Sequence, residues 1–205
     1  MYDLGPAFEN RSVAPGTALL VAGPPLSGVR RRTLDLLSYG LANGEAGLIV
    51  TNRYGARWVL EELEGRLDPT EQPLGVVDCV SHHHRRQVHD DADVRYATSP
   101  ADLTGIGVGF SALLEELSAG TDRVRVVVDS LSTLVRYVTF EAVRGFVNVI
   151  GQRLAAVGGI GIHVVEPQAH DEGELDRLCG LFDVAGTVAD GSVVGFGDTR
   201  DHDWM

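Results

Sequence analysis

Short, continuous apolar runs alternate along this chain with longer stretches in which leucine and valine recur every three or four residues. That alternation predicts a mainly parallel sheet with helices packed on it. The runs Thr17 to Ala22, Gly47 to Thr51, Leu74 to Val80, Val124 to Val128 and Ile160 to Val165 contain few polar residues, the pattern of strands covered on both faces. Between them, helices are expected from Gly28 to Ala42, Ala56 to Leu67, Val108 to Ser118 and Thr139 to Val157, with a shorter one from Gly173 to Phe182. Asn43-Gly44 and Gly158-Gly159 stop two of these helices, and Pro15-Gly16 turns the chain into the first strand. Asp190-Gly191, between Asp183 to Ala189 and Ser192 to Phe196, is a two-residue hairpin signal that places an antiparallel pair at the sheet edge.

Two segments break the pattern. Ser81 to Arg95 holds His82-His83-His84-Arg85-Arg86 and then His89-Asp90-Asp91, and reads as an exposed loop or lid. A metal site is the competing reading, but three consecutive histidines cannot all face one ion on a regular element, so a solvated loop is preferred. Residues 1–14 form a mixed N-terminal segment, and the acidic tail 198–205 is expected to fray. The remainder, 15–197, reads as one α/β domain.

Composition narrows the function classes. A chain of 205 residues with a net charge of −12 is ill suited to non-specific binding of nucleic acid or anionic membranes. All 17 basic residues are arginine, and lysine is absent. An acidic, lysine-free surface suits a salt-adapted cytosol, so salt-dependent stability is expected. No apolar run approaches the ~20 residues of a membrane span, and Met1 to Gly5 lacks a basic stretch leading into an apolar one. A soluble, cytoplasmic protein is the expectation. Cys79 and Cys179 lie in apolar and amphipathic surroundings and read as buried free thiols.

The most specific spacing begins at Leu19, where an apolar strand enters a loop bounded by Gly23 and Gly28 and then a helix. A phosphate-binding P-loop reads Gly-x-x-x-x-Gly-Lys-Ser/Thr, its lysine reaching the outer phosphates and its hydroxyl holding magnesium. Here Val29 takes the lysine position and Arg30 the hydroxyl position. Pro24 and Pro25 sit early, so the backbone from Leu26 and Ser27 through Gly28, Val29, Arg30 and Arg31 retains the amides of an anion nest. Loss of two charge-assisted contacts, at about 1.5–3 kcal/mol each, removes on the order of a hundred- to ten-thousand-fold in nucleotide affinity. A chance glycine pair after a strand is the other reading. Further on, Val126-Val127-Val128-Asp129-Ser130 fits a Walker B strand, whose aspartate holds magnesium through water.

The combination resembles the RecA superfamily, in particular KaiC- and RadA-like archaeal ATPases, over about Pro15 to Phe196. The words that carry the resemblance are Leu-Leu-Val-Ala-Gly-Pro-Pro at 19 to 25, Asp129-Ser130-Leu131-Ser132-Thr133-Leu134, and Leu181-Phe182-Asp183-Val184-Ala185-Gly186-Thr187-Val188. It implies a RecA-like fold, a nucleotide site and a tendency to assemble. It also implies a catalytic glutamate just after the second strand, where this chain has Thr51-Asn52-Arg53-Tyr54.

Arg30 has two readings. Its guanidinium pairs with Asp129, a built-in cation in place of the metal, or Arg30, Arg31 and Arg32 form a solvated helix start. His163, inside a strand, reads as a satisfied core histidine, and neither it nor Glu166-Pro167-Gln168 is given a catalytic role. The expected function is therefore a degenerate, non-catalytic module that works through a protein partner or self-association. No catalytic residue, metal or cofactor is assigned beyond weak ATP or magnesium binding. The alternatives are an atypical ATP-binding protein or slow ATPase, and an accessory factor in DNA recombination or repair that uses the His82 to Arg86 loop.

Overall fold

The computed structural model describes residues 1–66, 73–84 and 88–200. A small two-stranded sheet, β1 (Tyr2–Asp3) with β2 (Ser12–Val13), opens the chain and leads into β3 (Ala18–Ala22) and α1 (Val29–Ala42). Then follow β4 (Ala46–Thr51), α2 (Ala56–Glu64), β5 (Leu74–Asp78), β6 (Val94–Tyr96) and α3 (Leu103–Ser118). The second half holds β7 (Val124–Asp129), the one-turn α4 (Leu131–Leu134), α5 (Phe140–Ala156), β8 (Ile160–Val165), α6 (Glu172–Cys179), and the hairpin β9 (Val184–Ala189) with β10 (Ser192–Asp198).

Eight strands form one sheet in the order β10-β9-β3-β8-β7-β4-β5-β6, parallel except for β10 against β9. Alternation along β3 sends Leu20 and Ala22 to one face and Leu19 and Val21 to the other. The first face is covered by α3 and α5 through Phe110, Leu113, Phe146 and Ile150. The second is covered by α1 and α2 through Leu34, Leu37, Val59 and Leu63, joined by Tyr2, Leu4 and Phe8 from the N-terminal segment. The Tyr2 hydroxyl donates to Gly158 O at 2.9 Å and accepts from Val124 N at 3.0 Å, which ties that segment to the sheet.

Three boundaries differ from expectation for identifiable reasons. The stretch 81–95 is not all loop, because Val94–Tyr96 adds an edge strand parallel to β5. Its outward amides are satisfied by side chains, Val94 N donating to Asp91 Oδ1 and Tyr96 N to Asp90 Oδ1, both at 2.8 Å, so the acids that made the segment look like loop cap the sheet edge. Helix α3 starts five residues before Val108, because the Asp102 carboxylate accepts the Gly105 amide at 2.8 Å as an N-cap and outweighs three glycines in the first turns. The tail is ordered at its start: Asp198 ends β10, and Thr199 is buried with its hydroxyl donating to Phe182 O at 2.6 Å. Residues 201–205, Leu67 at the expected end of the second helix, and Arg85 and Arg86 lie outside the described residues.

Because β8, β7 and β4 are neighbours in register, with Thr51 opposite Asp129, the loops after these strands meet at one edge of the sheet. The loop after β3 joins them from one strand further on.

Candidate functional site

The loop between β3 and α1 is closed on itself. Leu26 takes a left-handed backbone (φ 68°) and points its side chain fully into solvent, while Ser27 is buried and its Oγ accepts the Val29 amide at 3.3 Å. A β-carbon at Gly23 would come within 2.6 Å of that hydroxyl and 2.9 Å of the Val188 carbonyl, so the first glycine makes room for the closed loop. Gly28 is also left-handed (φ 85°) and abuts the hairpin turn, where Gly191 N donates to Ser27 O at 2.7 Å and Arg32 Nε donates to Gly191 O. Val29, at the position where the resemblance implies lysine, is buried in the core of the α1 face. Arg31 is exposed.

Asp129 is almost fully buried at the end of β7, and both of its oxygens face arginines. Arg53 Nη2 donates to Oδ1 at 2.7 Å, and Arg30 Nε lies 3.4 Å from Oδ2, the long limit of a hydrogen bond. The Arg30–Asp129 pairing is thus present, and the solvated helix start is not what Arg30 adopts. Arg30 also donates through Nη1 to Glu62 at 2.6 Å and lies over the Trp58 and Tyr54 rings at 4.0 and 4.3 Å. Those rings are stacked on each other with centroids 4.3 Å apart. Arg53 also donates through Nη1 to Glu166. Burial on its own would lower the pKa of Arg53, but the carboxylates of Asp129 and Glu166 outweigh it and hold the guanidinium above its ordinary value.

Ser130 is structural. Its amide donates to Asn52 Oδ1 at 2.6 Å and its carbonyl accepts from Asn52 Nδ2 at 2.9 Å, while its hydroxyl caps α4 by accepting the Thr133 amide at 3.2 Å. A Ser132–His170–Glu174 chain runs alongside, with Ser132 Oγ and His170 Nε2 2.8 Å apart and His170 Nδ1 and Glu174 Oε2 also 2.8 Å apart. The assignment that satisfies every group has Nδ1–H donating to Glu174, the serine hydroxyl donating to Nε2, and Glu166 N donating to Ser132 Oγ at 2.8 Å. Ser132 is only 2 % exposed, so its oxygen fixes the Glu166 backbone and is out of reach of a substrate.

Several of the residues that converge here are not evident from motif spacing. Arg53 and Tyr54 come from the loop after β4, Trp58 and Glu62 from α2, and Glu166 from the end of β8, three places in the chain. The one available signal was an arginine two residues beyond a buried strand, at the point where the resemblance implies glutamate. His163 is buried as expected but poorly satisfied, since neither ring nitrogen makes a well-formed hydrogen bond and the nearest polar partner is the Leu19 backbone. Burial pushes its pKa down to about 4. Cys79 and Cys179 are buried free thiols whose pKa values burial raises, that of Cys179 to about 11. Among the described residues, His, Cys, Asp and Glu do not gather in threes able to hold a metal, and no described helix is long and apolar enough to cross a membrane.

Solved structures that share this architecture include two archaeal proteins. A KaiC-like protein from the hyperthermophilic archaeon Pyrococcus horikoshii superposes with a TM-score of 0.57 at 14% identity, over 89% of this chain and 76% of that one. An uncharacterized protein from the same organism, solved in complex with an unknown peptide, superposes with a TM-score of 0.66 at 12% identity, over 86% of this chain and 78% of that one. At such identities the likeness establishes a RecA/KaiC-like fold. No curated protein matches the sequence. The profile of a family of unknown function, DUF7504, matches residues 16–187, and the chain belongs to that family.

Proposed function

We propose that this chain is a RecA/KaiC-like module with a degenerate nucleotide site, which acts by binding a protein partner or a second copy of itself. The observation that carries the reading is the double arginine contact to Asp129, Arg53 Nη2 at 2.7 Å and Arg30 Nε at 3.4 Å. In a P-loop enzyme this carboxylate serves magnesium and the neighbouring hydroxyl completes the metal's shell. Here the hydroxyl position is itself one of the two cations. The donor set does not suit magnesium. The lysine position supplies a buried methyl pair, and Ser27 fills the loop with its own hydroxyl. The unknown peptide bound by one archaeal neighbour is a precedent on this fold for a protein ligand.

A slow ATPase that uses arginine in place of lysine would have to rely on Arg31, because Arg30 is engaged by Glu62 and Asp129. Isothermal titration with magnesium-ATP, paired with a turnover assay, decides between them. The expected result is no saturable heat at micromolar nucleotide and no turnover. Micromolar affinity, or hydrolysis abolished by Asp129→Asn, overturns the reading.

A further inference from the structure

A cavity of about 430 Å³ opens at the carboxyl ends of β4 and β5, on the side of Arg53 away from the P-loop. It is lined by Arg53, Arg136, His83, His84, Thr133 and Tyr137, together with Asn52 and apolar residues, and no carboxylate is among the described residues that line it. In a chain whose acids outnumber its arginines 29 to 17, a cavity wall without a single acid is a local reversal of charge. We propose that it binds the phosphate group of a small molecule.

The chemistry of the wall selects the ligand. Arg136, exposed at the end of α4, makes no ion pair among the described residues and presents a whole guanidinium fork. Arg53 shares its charge with Asp129 and Glu166, but its buried Nε has no partner. The hydroxyls of Thr133 and Tyr137 and the imidazoles of His83 and His84 add further donors. The Asn52 amide is the exception, because it is consumed by Ser130. A wall rich in donors and free of carboxylates calls for a ligand that offers several acceptor oxygens and negative charge, which a phosphate does and a peptide backbone does not. Tyr137 and His83, edge to face at 5.8 Å, add an aromatic rim suited to the planar or sugar part of an ester. The volume accommodates more than the ion alone.

Calorimetric titration of the full chain at low ionic strength with inorganic phosphate, ribose 5-phosphate and AMP tests the site. The expected result is saturable binding of at least one of them, weakened about tenfold or more by Arg136→Ala, as loss of one charge-assisted contact requires. The exposed position of Arg136 predicts an unchanged unfolding midpoint for that variant, and Tyr137→Ala serves as a second probe of the rim. Preference for either ester identifies an organic phosphate as the ligand, and equal affinities identify the free ion. No saturable heat with any of the three, binding indifferent to Arg136→Ala, or equally tight binding of citrate overturns the proposal. So does a single-stranded oligonucleotide that outcompetes all three. Magnesium-ATP binding that survives Arg136→Ala belongs to the P-loop and counts against the reading of that site, not against this one.

Discussion

Arg53 reaches Asp129 across 2.7 Å from the loop after β4, the place where the RecA-superfamily resemblance implies a water-activating carboxylate. A cation has come to stand beside the Walker B-like aspartate in a position where an anion would repel it. Asp129 is buried and Arg53 mostly so, and an ion pair of this kind is far more costly to halve than to replace. Arg53→Met therefore leaves Asp129 with only the long contact to Arg30. We expect it to lower stability by about 2–4 kcal/mol, somewhat below the full cost of a wholly buried pair because Arg53 keeps some exposure. Urea unfolding measures this, and the double variant Arg53→Met with Asp129→Leu should recover much of the loss. A midpoint unmoved by Arg53→Met would mean that the pair is ornamental.

A second pair makes a stronger demand. Arg125 is completely buried in β7, donating to Glu45 Oε2 at 2.8 Å through Nε and to Oε1 at 3.1 Å through Nη2. Its remaining donors go to Leu36 O and Asp3 O, at 2.7 and 2.8 Å. Each of its three nitrogens has a partner, so the arginine stitches α1, the turn before β4 and the N-terminal segment to the sheet. Glu45→Gln leaves a guanidinium uncompensated in the core and should cost about 3–5 kcal/mol. Replacing both residues with apolar ones should cost much less than that. Equal losses for the single and double variants would refute the argument.

The same pair marks the limit of what the sequence reveals. Strands β3, β4, β7 and β8 are nearly continuous apolar runs, and their placement in a parallel sheet follows from the alternation of those runs with helical stretches. Arg125 interrupts the run Val124 to Asp129 and is invisible as a core residue, because its partner Glu45 lies in the turn between α1 and β4, far away in the sequence. Edge strand β6 is only three residues long, too short for a period of two to register. At the site, the glycine spacing, Asp129 and the Arg30 pairing are legible, since each follows from a local motif or from its known neighbour. Arg53, Glu62 and Glu166 are not, because their meeting depends on strand order, which no local pattern encodes.

His163 gives the protein a pH dependence of known sign. Its ring lies 4.8 Å from that of Phe182, fully buried, and burial holds its pKa near 4, against about 6.5 in an unfolded chain. Between those values the unfolded chain binds a proton that the native state refuses. Stability is therefore complete above pH 6.5 and falls as the pH drops toward 4, by about 3 kcal/mol across the window. His163→Leu removes the titrating group, so its effect on stability should be more favourable at pH 5 than at pH 8 and grow further toward pH 4. Parallel stability-versus-pH curves for the two proteins would show that the ring accepts its proton without unfolding.

Salt should stabilise this protein, and the argument is a competition between two electrostatic effects. The acids exceed the arginines by enough to give a net charge of −12, so the compact state suffers self-repulsion. Salt also weakens surface ion pairs such as Arg57–Glu61 and Arg144–Glu141, but exposed pairs of this kind contribute only about 0–1 kcal/mol each. The buried pairs at Asp129 and Glu45 are shielded from solvent ions and change little. Repulsion therefore dominates, and its relief should raise Tm by several degrees as the Debye length shrinks from about 10 Å at 0.1 M to about 3 Å at 1 M potassium chloride. Simple screening saturates near that point. A surface adapted to a saline cytosol goes on gaining stability at molar salt, because its carboxylates hold hydrated cations. Melting curves from 0.1 to 3 M separate the two, and a Tm that stays flat or declines over the first decade would show that the excess of acid places no strain on the fold.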